Sequence, residues 1–504
     1  MQPLPPRDFD VPAARHLLNR AGYGGTPAQV TELAEMGLDA AVQRLVNYGD
    51  APALPGPDLD PDVIRSRTKE ERQRFIKARK DGDEDHLDEV RKQRQDARKA
   101  DRTQFQALQQ WWLGRMVDTP RPFEERLTFF WHGHFASSQR SVRDSYLMYA
   151  QNATLRENAR GPFADLVAAV VHDPAMLKYL NNDKNIAKRP NENLARELME
   201  LFTLGVGNYT EDDIKEVARA LTGYGVNDND FQLKKPQHDP GDKLILGQTG
   251  PFDGDTVAAL LASRPACARF IALKLYDHFV ADVGDVYEKL SSRKAAAVDD
   301  LAAVLSAEDL HVGRTLQRLF KSRHFYGDDV VGKKIKSPVQ LVVGTLRSLG
   351  TPVRQAVLVL PALKQMGQVP FEPPTVDGWD GGRAWINTST LFVRQNFTTF
   401  LATGIAPTAK IRRQRAKRNK RRGKDRDNAA EVYRPTALLS HLSNPTPETA
   451  TDALIDHALG PHTPAARREP LHALARELLA DGITDEPLAR LVAAIAATPE
   501  YQLC

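Results

Sequence analysis

Cysteine is nearly absent from this sequence, which holds two in 504 residues, Cys267 and Cys504. Cys267 lies within an apolar helical pattern and Cys504 is the last residue printed. The sequence therefore indicates neither a disulfide framework nor a metal site built from thiolates. It leaves the cellular compartment open.

Long apolar runs are also missing. No stretch reaches the roughly 18 apolar residues that a transmembrane helix needs, and the amino terminus lacks the apolar segment of a signal peptide. We therefore expect a soluble protein without a transmembrane segment, and the sequence leaves its localisation unknown.

Several catalytic signatures do not occur. The sequence has no Gly-x-Ser-x-Gly elbow, no phosphate-binding P-loop, no dinucleotide glycine fingerprint and no His-Glu-x-x-His motif. Their absence disfavours the common esterases, NTPases, dehydrogenases and zincin peptidases.

Alternation of apolar and polar residues, typical of β-strands, is scarce, whereas apolar residues recur at helical spacing along most of the chain. With 41% hydrophobic residues for a core, the pattern predicts a mainly α fold, a large multi-helical core domain with a few short hairpins and helical insertions. We divide the chain into an N-terminal helical hairpin and linker (1–62), a charged helical insertion (63–104), a core helical domain carrying the site (105–405), a basic disordered linker (406–430) and C-terminal helices packing on the core (431–504).

Positive charge is concentrated in one tract. Residues 410–426 hold eleven Lys and Arg against one acid, Asp425, a sum of +10, so the net charge of +4 leaves −6 for the rest of the chain. Such a tract can bind a polyanion, whether a nucleic acid, an acidic glycan or an anionic membrane, through counterion release. Because it has no aromatic residue for base stacking, we expect no sequence-specific nucleic-acid binding.

Residues 191–205, NENLARELMELFTLG, predict one helix of about four turns that begins after Pro190 and ends at Gly205. At about 100° per residue, Glu197 and Glu200 lie along the edge of an apolar stripe. A carboxylate drawn out of water needs a cation, a metal or a hydrogen-bond donor. This helix is therefore the predicted wall of a buried polar site.

Four residues are candidate ligands for a divalent metal of unknown identity: His132, His134, Glu197 and His238. The two rings of the His-x-His pair can converge if Gly133 breaks the helix, because in a continued helix they would diverge by about 200°. In the alternative, a structural network, His132 interacts with the helix dipole and Glu197 pairs with Arg126 or Arg196.

With a metal bound, a water polarised by the ion would attack the substrate, and Glu197 or Glu200 would act as general base. Lys243 or Arg383 would stabilise the negative charge that develops. This predicts a metal-assisted hydrolase of a polymer, such as a glycan, or of an ester. Without a metal, Glu197 and Glu200 or Asp213 would form the acid and base pair of a glycoside-cleaving site.

A glycine-rich loop and the helix after it supply the candidate substrate-binding residues Trp379, Trp385, Asn387 and Arg394. Indole faces beside polar side chains can hold carbohydrate rings, and the neighbouring glycines let the backbone turn sharply. The alternative is a packed loop whose indoles fill the helical core.

Six segments carry a resemblance that spans residues 15–503. They are FFWHGHFASS (129–138), NENLARELMELFTLG (191–205), YTEDDIKEVARALTGY (209–224), HDPGDKLILG (238–247), KSPVQLVVGTLRSLG (336–350) and GWDGGRAWINTSTLFVRQNF (378–397). In this order they resemble the bacterial "domain of unknown function 1800" family. The resemblance implies a large, mainly helical, secreted or periplasmic protein without an agreed activity, often encoded beside a sulfatase- or phosphatase-like protein.

The sequence departs from the family pattern in lacking an export signal and in carrying the charged segments 65–102 and 410–426. Two functions of different classes remain open. As a metal-assisted hydrolase, the protein would gather the candidate side chains around an open cleft. As a non-catalytic helical scaffold for a sulfatase- or phosphatase-like partner, it would saturate the same groups with hydrogen bonds.

Overall fold

The structure, a computed structural model, describes residues 1–284, 290–351, 356–404 and 433–504, without the side chains of residues 356 and 357. The predicted mainly helical fold is confirmed. The first α-helices are α1 (Val11–Gly22), α2 (Pro27–Glu35), α3 (Gly37–Val46), α4 (Lys69–Asp81), α5 (Glu84–Asp118), α6 (Pro122–His134), α7 (Gln139–Val142), α8 (Ser145–Glu157), α9 (Phe163–Val171), α10 (Pro174–Tyr179) and α11 (Asn193–Glu197). The later ones are α12 (Glu211–Ala220), α13 (Gly254–Ala262), α14 (Pro265–Phe279), α15 (Ser292–Ala307), α16 (Val312–Phe320), α17 (Pro338–Ser348), α18 (Ala356–Met366), α19 (Thr388–Thr403), α20 (Pro447–Ala458), α21 (Ala465–Leu478) and α22 (Asp485–Ala496).

Shorter helical elements connect these α-helices. A π-helix follows α11 at Leu198–Thr203. The 3₁₀ turns are Pro6–Asp8, Tyr48–Asp50, Asn182–Lys184, Lys235–Gln237, Gly382–Trp385, Pro435–Leu439 and Pro499–Gln502. The linker predicted at 406–430, with its basic tract 410–426, lies outside the described residues.

The charged segment before the core forms a hairpin of two helices. Thr68 and Glu71 form a capping box at the start of α4, and Gly82, with φ +71°, ends that helix in the left-handed conformation. α5 then runs for 35 residues and buries Trp112 near its end. The boundary that we placed after residue 104 therefore falls inside one continuous helix.

The apolar side chains form three clusters. The first includes Trp131 and Phe163, the second includes Trp112 and Phe129, and the third joins the C-terminal helices α20 to α22. Because α6 contributes to the first two clusters, every residue of it except Gly133 is buried. The charged residues Glu124, Glu125 and Arg126 of this helix are therefore buried together with its aromatic ones.

Two small antiparallel sheets follow α12. Strand β1 (Tyr224–Asn227) pairs with β2 (Asp230–Leu233), and β3 (Lys243–Ile245) pairs with β4 (Gln248–Gly250). These are the short hairpins that the turn-rich sequence predicts. They lie beside α12, and so beside residues that the sequence places near the site.

Within the described part of the chain, no single helix has the length and apolar composition to cross a membrane. The consecutive helices Gly254–Ala262 and Pro265–Phe279 are long and apolar enough only when their lengths are added together. The chain bends by 76° between them.

Candidate functional site

The predicted four-turn helix changes its winding in the middle. α11 passes directly into the π-helix, where Leu204 N–H donates to the Met199 carbonyl at 2.9 Å. The Thr203 hydroxyl donates to the Leu198 carbonyl at 2.6 Å. Gly205, with φ +77°, ends the segment in the left-handed conformation, as the sequence predicts. Single π-turns are rare and frequently occur at functional sites.

Three carboxylates share the surroundings of this π-helix. Glu197 and Glu200 are both half-buried, and Asp377 comes from the loop after α18. Burial raises the pKa of Glu197, and the negative charges of Glu200 and Asp377 raise it further. Burial and the charges of Glu197 and Asp377 also raise the pKa of Tyr179, at the end of α10. The charge of Asp377 therefore contributes to the electrostatic environment of Glu197 and Tyr179, although it lies on a distant segment of the chain.

Among the described residues, a side chain donates a hydrogen bond to Glu200 but none donates to Glu197. The Tyr209 hydroxyl donates to Oε2 of Glu200 at 2.7 Å. Burial and this contact raise the pKa of Tyr209, so the phenol remains the donor at neutral pH.

No cation within 4.0 Å pairs with Glu197 in the part of the chain that the structure describes. Arg196, the next residue, instead donates to Glu211 at 2.9 and 2.8 Å and to Glu192 at 3.1 Å. Arg126 lies with its Cζ 5.1 Å from the ring centroid of Tyr23. Neither arginine considered as a structural partner is therefore paired with Glu197.

Close packing of glycine against glycine positions the loop that carries Asp377. Gly378 has φ +86°, and a Cβ atom there would collide with the carbonyl oxygen of Gly133. The next residue, Trp379, stacks on Phe129 with centroids 5.6 Å apart and an interplanar angle of 16°. The loop that carries Asp377 is thus held against the end of α6.

The two histidines of α6 do not converge, because the helix continues through Gly133 to His134. Nε2 of His132 accepts from the Phe371 N–H at 3.0 Å. Nε2 of His134 donates to the Phe202 carbonyl at 2.9 Å. Burial lowers the pKa of His132 to about 3, so its ring is neutral. The condition on which the His-x-His pair depended is not met.

His238 and Lys243 belong to a network around α12. Nδ1 of His238 donates to the Thr222 carbonyl at 2.8 Å, and Nζ of Lys243 donates to the Asp239 carbonyl at 2.7 Å. The Asp239 carboxylate accepts from Arg219 at 2.8 Å. Among the described residues, no group of three or more His, Cys, Asp and Glu is arranged to hold a metal ion. The structure therefore does not bring the four candidate ligands together.

Both carboxylate oxygens of Asp213 accept hydrogen bonds from main-chain N–H groups. One of its oxygens completes a capping box with Thr210 at 2.8 Å, and the other accepts from the Leu246 N–H at 2.6 Å. Arg383 is exposed on the 3₁₀ turn Gly382–Trp385. Asp213 and Arg383 thus stand outside the group formed by the three carboxylates.

The four candidate substrate-binding residues lie in separate environments. Asn387 caps α19 and accepts from the Thr390 N–H at 2.9 Å. Arg394 is buried, where it donates to the Gln502 side chain at 2.8 Å and to the Lys336 carbonyl at 2.7 Å. Trp385 is buried with 7% of its surface exposed, and Trp379 stacks against α6 as described above. Of these four, Trp379 lies nearest in sequence to Asp377.

Sequence reasoning missed three members of the site, namely Tyr179, Tyr209 and Asp377. Tyr209 directly precedes the capping box at Thr210, and Asp377 directly precedes Gly378, so both were close to recognised signals. Neither the capping box nor the glycine indicates that the residue before it acts on a helix elsewhere in the chain.

A family model described as "Protein of unknown function (DUF1800)" matches residues 16–503. No curated protein and no solved structure matches the chain.

Proposed function

Since the chain belongs to the DUF1800 family, whose description assigns no activity, we propose from the site alone that it is a hydrolase acting on a polymer, such as a glycan, or on an ester. The observation that carries the proposal is the half-buried Glu197 beside the π-helix, subject to the negative charges of Glu200 and Asp377, together with the hydrogen bond that Tyr209 donates to Glu200.

The two glutamates have environments suited to different tasks. Glu197 holds its proton to a higher pH than an ordinary glutamate, because burial and two neighbouring negative charges oppose its ionisation. Glu200 instead accepts a hydrogen bond from the Tyr209 hydroxyl, which orients its carboxylate. Two carboxyl groups in different environments are the usual acid and base pair of bond hydrolysis. In this proposal Glu197 protonates the leaving group and Glu200 activates water.

A divalent metal, the cofactor expected from the sequence, would have to bind differently from that expectation. His132, His134 and His238 each use a ring nitrogen in a hydrogen bond with the main chain. A cation at the proposed site would depend on the oxygens of Glu197 and Glu200, ligands that suit Mg²⁺, Ca²⁺ or Mn²⁺ better than softer metals.

Hydrolysis of a panel of polysaccharides and aryl esters by the purified protein tests the proposal. Glu197→Gln should lower turnover by roughly 10²–10⁴-fold, the usual contribution of a general acid. Glu192→Gln is the matched control, since Glu192 lies on the same segment and pairs with Arg196. If Glu197→Gln and Glu192→Gln hydrolyse the panel equally fast, or if the wild-type protein hydrolyses none of it, the proposal is wrong.

Chelation separates the two forms of the mechanism. Turnover that EDTA abolishes and a divalent cation restores would support the metal-assisted form. Turnover unchanged by EDTA would support the carboxylate pair acting alone.

The hydrogen-bonded histidines favour a second candidate, the non-catalytic scaffold that partners a sulfatase- or phosphatase-like protein. Mutual saturation of the polar groups is what a scaffold would require, and three of the four candidate metal ligands show it. Co-purification of such a partner from the native host, together with no hydrolysis of the panel, would favour this function over the first.

A further inference from the structure

Two arginines lie in the interior with part of their hydrogen-bonding capacity unused. Arg20 of α1 is 0% exposed and Arg126 of α6 is 2% exposed. Arg20 donates through Nη1 and Nη2 at 2.8–3.2 Å to the main-chain carbonyls of Phe279, Val280, Val330 and Cys504. Its Nε has no hydrogen-bond partner among the described residues, and Nε and Nη1 of Arg126 have none either.

A histidine faces the same region from a third helix. The ring of His278, on α14, lies 5.0 Å from that of Phe130, one turn after Arg126 on α6. The Nε2 of His278 is sealed from solvent and has no partner in the part of the chain that the structure describes. Burial lowers the pKa of His278, and the charges of Arg126, Lys334 and Arg20 lower it further. The ring is therefore neutral and can donate one hydrogen bond.

The negative groups near these arginines do not use the open donors. Asp282 and Cys504 act on Arg20, but the Asp282 carboxylate is paired with Lys334, and Cys504 is engaged by the terminal nitrogens of Arg20. Buried donors without acceptors are rare in folded proteins and costly. Two guanidinium groups that repel each other in the interior add to this cost.

We propose that Arg20, Arg126 and His278 bind a small inorganic anion of halide size, such as chloride, in the interior between α1, α6 and α14. One anion accepts from several donors at once and offsets the like charges of the two arginines. The near-complete burial of both side chains restricts the occupant to a small ion. This site is separate from the carboxylate group around Glu197 and does not depend on the proposed hydrolysis.

Thermal unfolding in sodium chloride and in sodium gluconate of equal ionic strength tests the site. An anion that binds only the folded protein raises its melting temperature, here by roughly 2–5 °C in chloride. Arg126→Met should lose that difference. Lys215→Met, which removes an exposed cation paired with Asp212, should keep it. Equal melting temperatures in the two salts, or an unchanged difference in Arg126→Met, would overturn the proposal.

A direct measurement covers the case in which Arg126→Met does not fold. Wild-type crystals grown in bromide should show an anomalous-scattering peak within hydrogen-bonding distance of Arg126 Nη1 and Arg20 Nε. A water molecule at that position, or no peak, would contradict anion binding.

Discussion

At Glu197, burial and the negative charges of Glu200 and Asp377 act in the same direction and outweigh the opposing charge of Arg196. Both oppose ionisation, so the folded protein holds this proton more tightly than the unfolded chain does. The contribution of Glu197 to stability is therefore largest at low pH and falls as the pH rises through its raised pKa. In catalysis, the same shift extends the pH range in which a general acid keeps its proton.

The charge of Asp377 offers a way to test this coupling. Asp377→Asn removes one of the two negative charges that raise the pKa of Glu197. The alkaline limb of the pH–rate profile should therefore move to lower pH, as measured by initial rates on any substrate that the wild-type protein hydrolyses. Asp380→Asn is the matched control, because Asp380 is exposed on the same loop and has no part in the shift. Equal limbs in both variants would show that Asp377 does not act on the acid.

Asp173 provides a second pH-dependent residue, within a buried polar chain. Burial raises the pKa of Asp173 to about 7, although hydrogen bonds from Met176 and Gln151 lower it. Gln151 also accepts from the Ser137 hydroxyl. A proton on Asp173 favours the folded state, so its stabilising effect is complete below the ordinary aspartate pKa and is lost as the pH rises through about 7.

Urea unfolding at pH 5 and pH 8 measures this effect. Asp173 should make the wild-type protein more stable at pH 5 by roughly 1–3 kcal/mol. Asp173→Asn cannot ionise and should show a correspondingly smaller difference between the two pH values. The control Asp165→Asn, at an exposed position of α9, should behave as the wild type. A difference that persists undiminished in Asp173→Asn would assign the pH dependence to other groups.

At the scale of single elements, local signals predicted the starts and stops well. Thr26 and Thr210 form the capping contacts expected at the starts of α2 and α12, and Gly205 ends the π-helix. Such signals depend on side chains within four residues of the helix end, so the sequence contains all the necessary information. The same is true of the hairpin of α4 and α5, which turns at Gly82.

Tertiary contacts explain the elements that local signals described wrongly. Gly133 resembles a helix stop, but α6 continues through it, and the close approach of its carbonyl requires glycine at position 378. The π-turn likewise involves a distant partner, since His134 engages the Phe202 carbonyl within it. Neither contact can be found from the periodicity of one segment.

The π-turn itself can be tested through Thr203. Thr203→Val removes its hydrogen bond to the Leu198 carbonyl and should lower the free energy of unfolding by about 1 kcal/mol. It should also lower turnover, because the turn sets the placement of Glu200 relative to Glu197. Thr128→Val removes an equivalent bond, at 2.7 Å to the Glu124 carbonyl on α6. This control should cost similar stability and leave turnover intact, and equal turnover in both variants would separate the π-turn from function.

At the scale of the whole molecule, the sequence predicted the helical class but only two of the five residues of the site. The fold class can be predicted because amino-acid composition and the periodicity of apolar residues are properties of many residues together. The site joins Tyr179, Glu197, Glu200 and Tyr209 to Asp377, which lies far along the chain on another loop. The two glutamates could be found from the sequence because they lie in one segment. The other three residues come near them only through the packing of the apolar clusters, which the sequence pattern does not reveal.

The distribution of charge over the whole chain leads to the last prediction. Residues 410–426 carry +10 of charge, and the remainder carries −6, so attraction to a polyanion should depend on this tract alone. Replacing its eleven Lys and Arg by Gln should abolish retention on heparin, whereas a scrambled tract of the same composition should elute at the same salt concentration as the wild type. Counterion release depends on the number of cations and is insensitive to their order. If the scrambled tract binds much more weakly than the wild type, recognition is specific to sequence; if the Gln variant still binds, another surface is responsible.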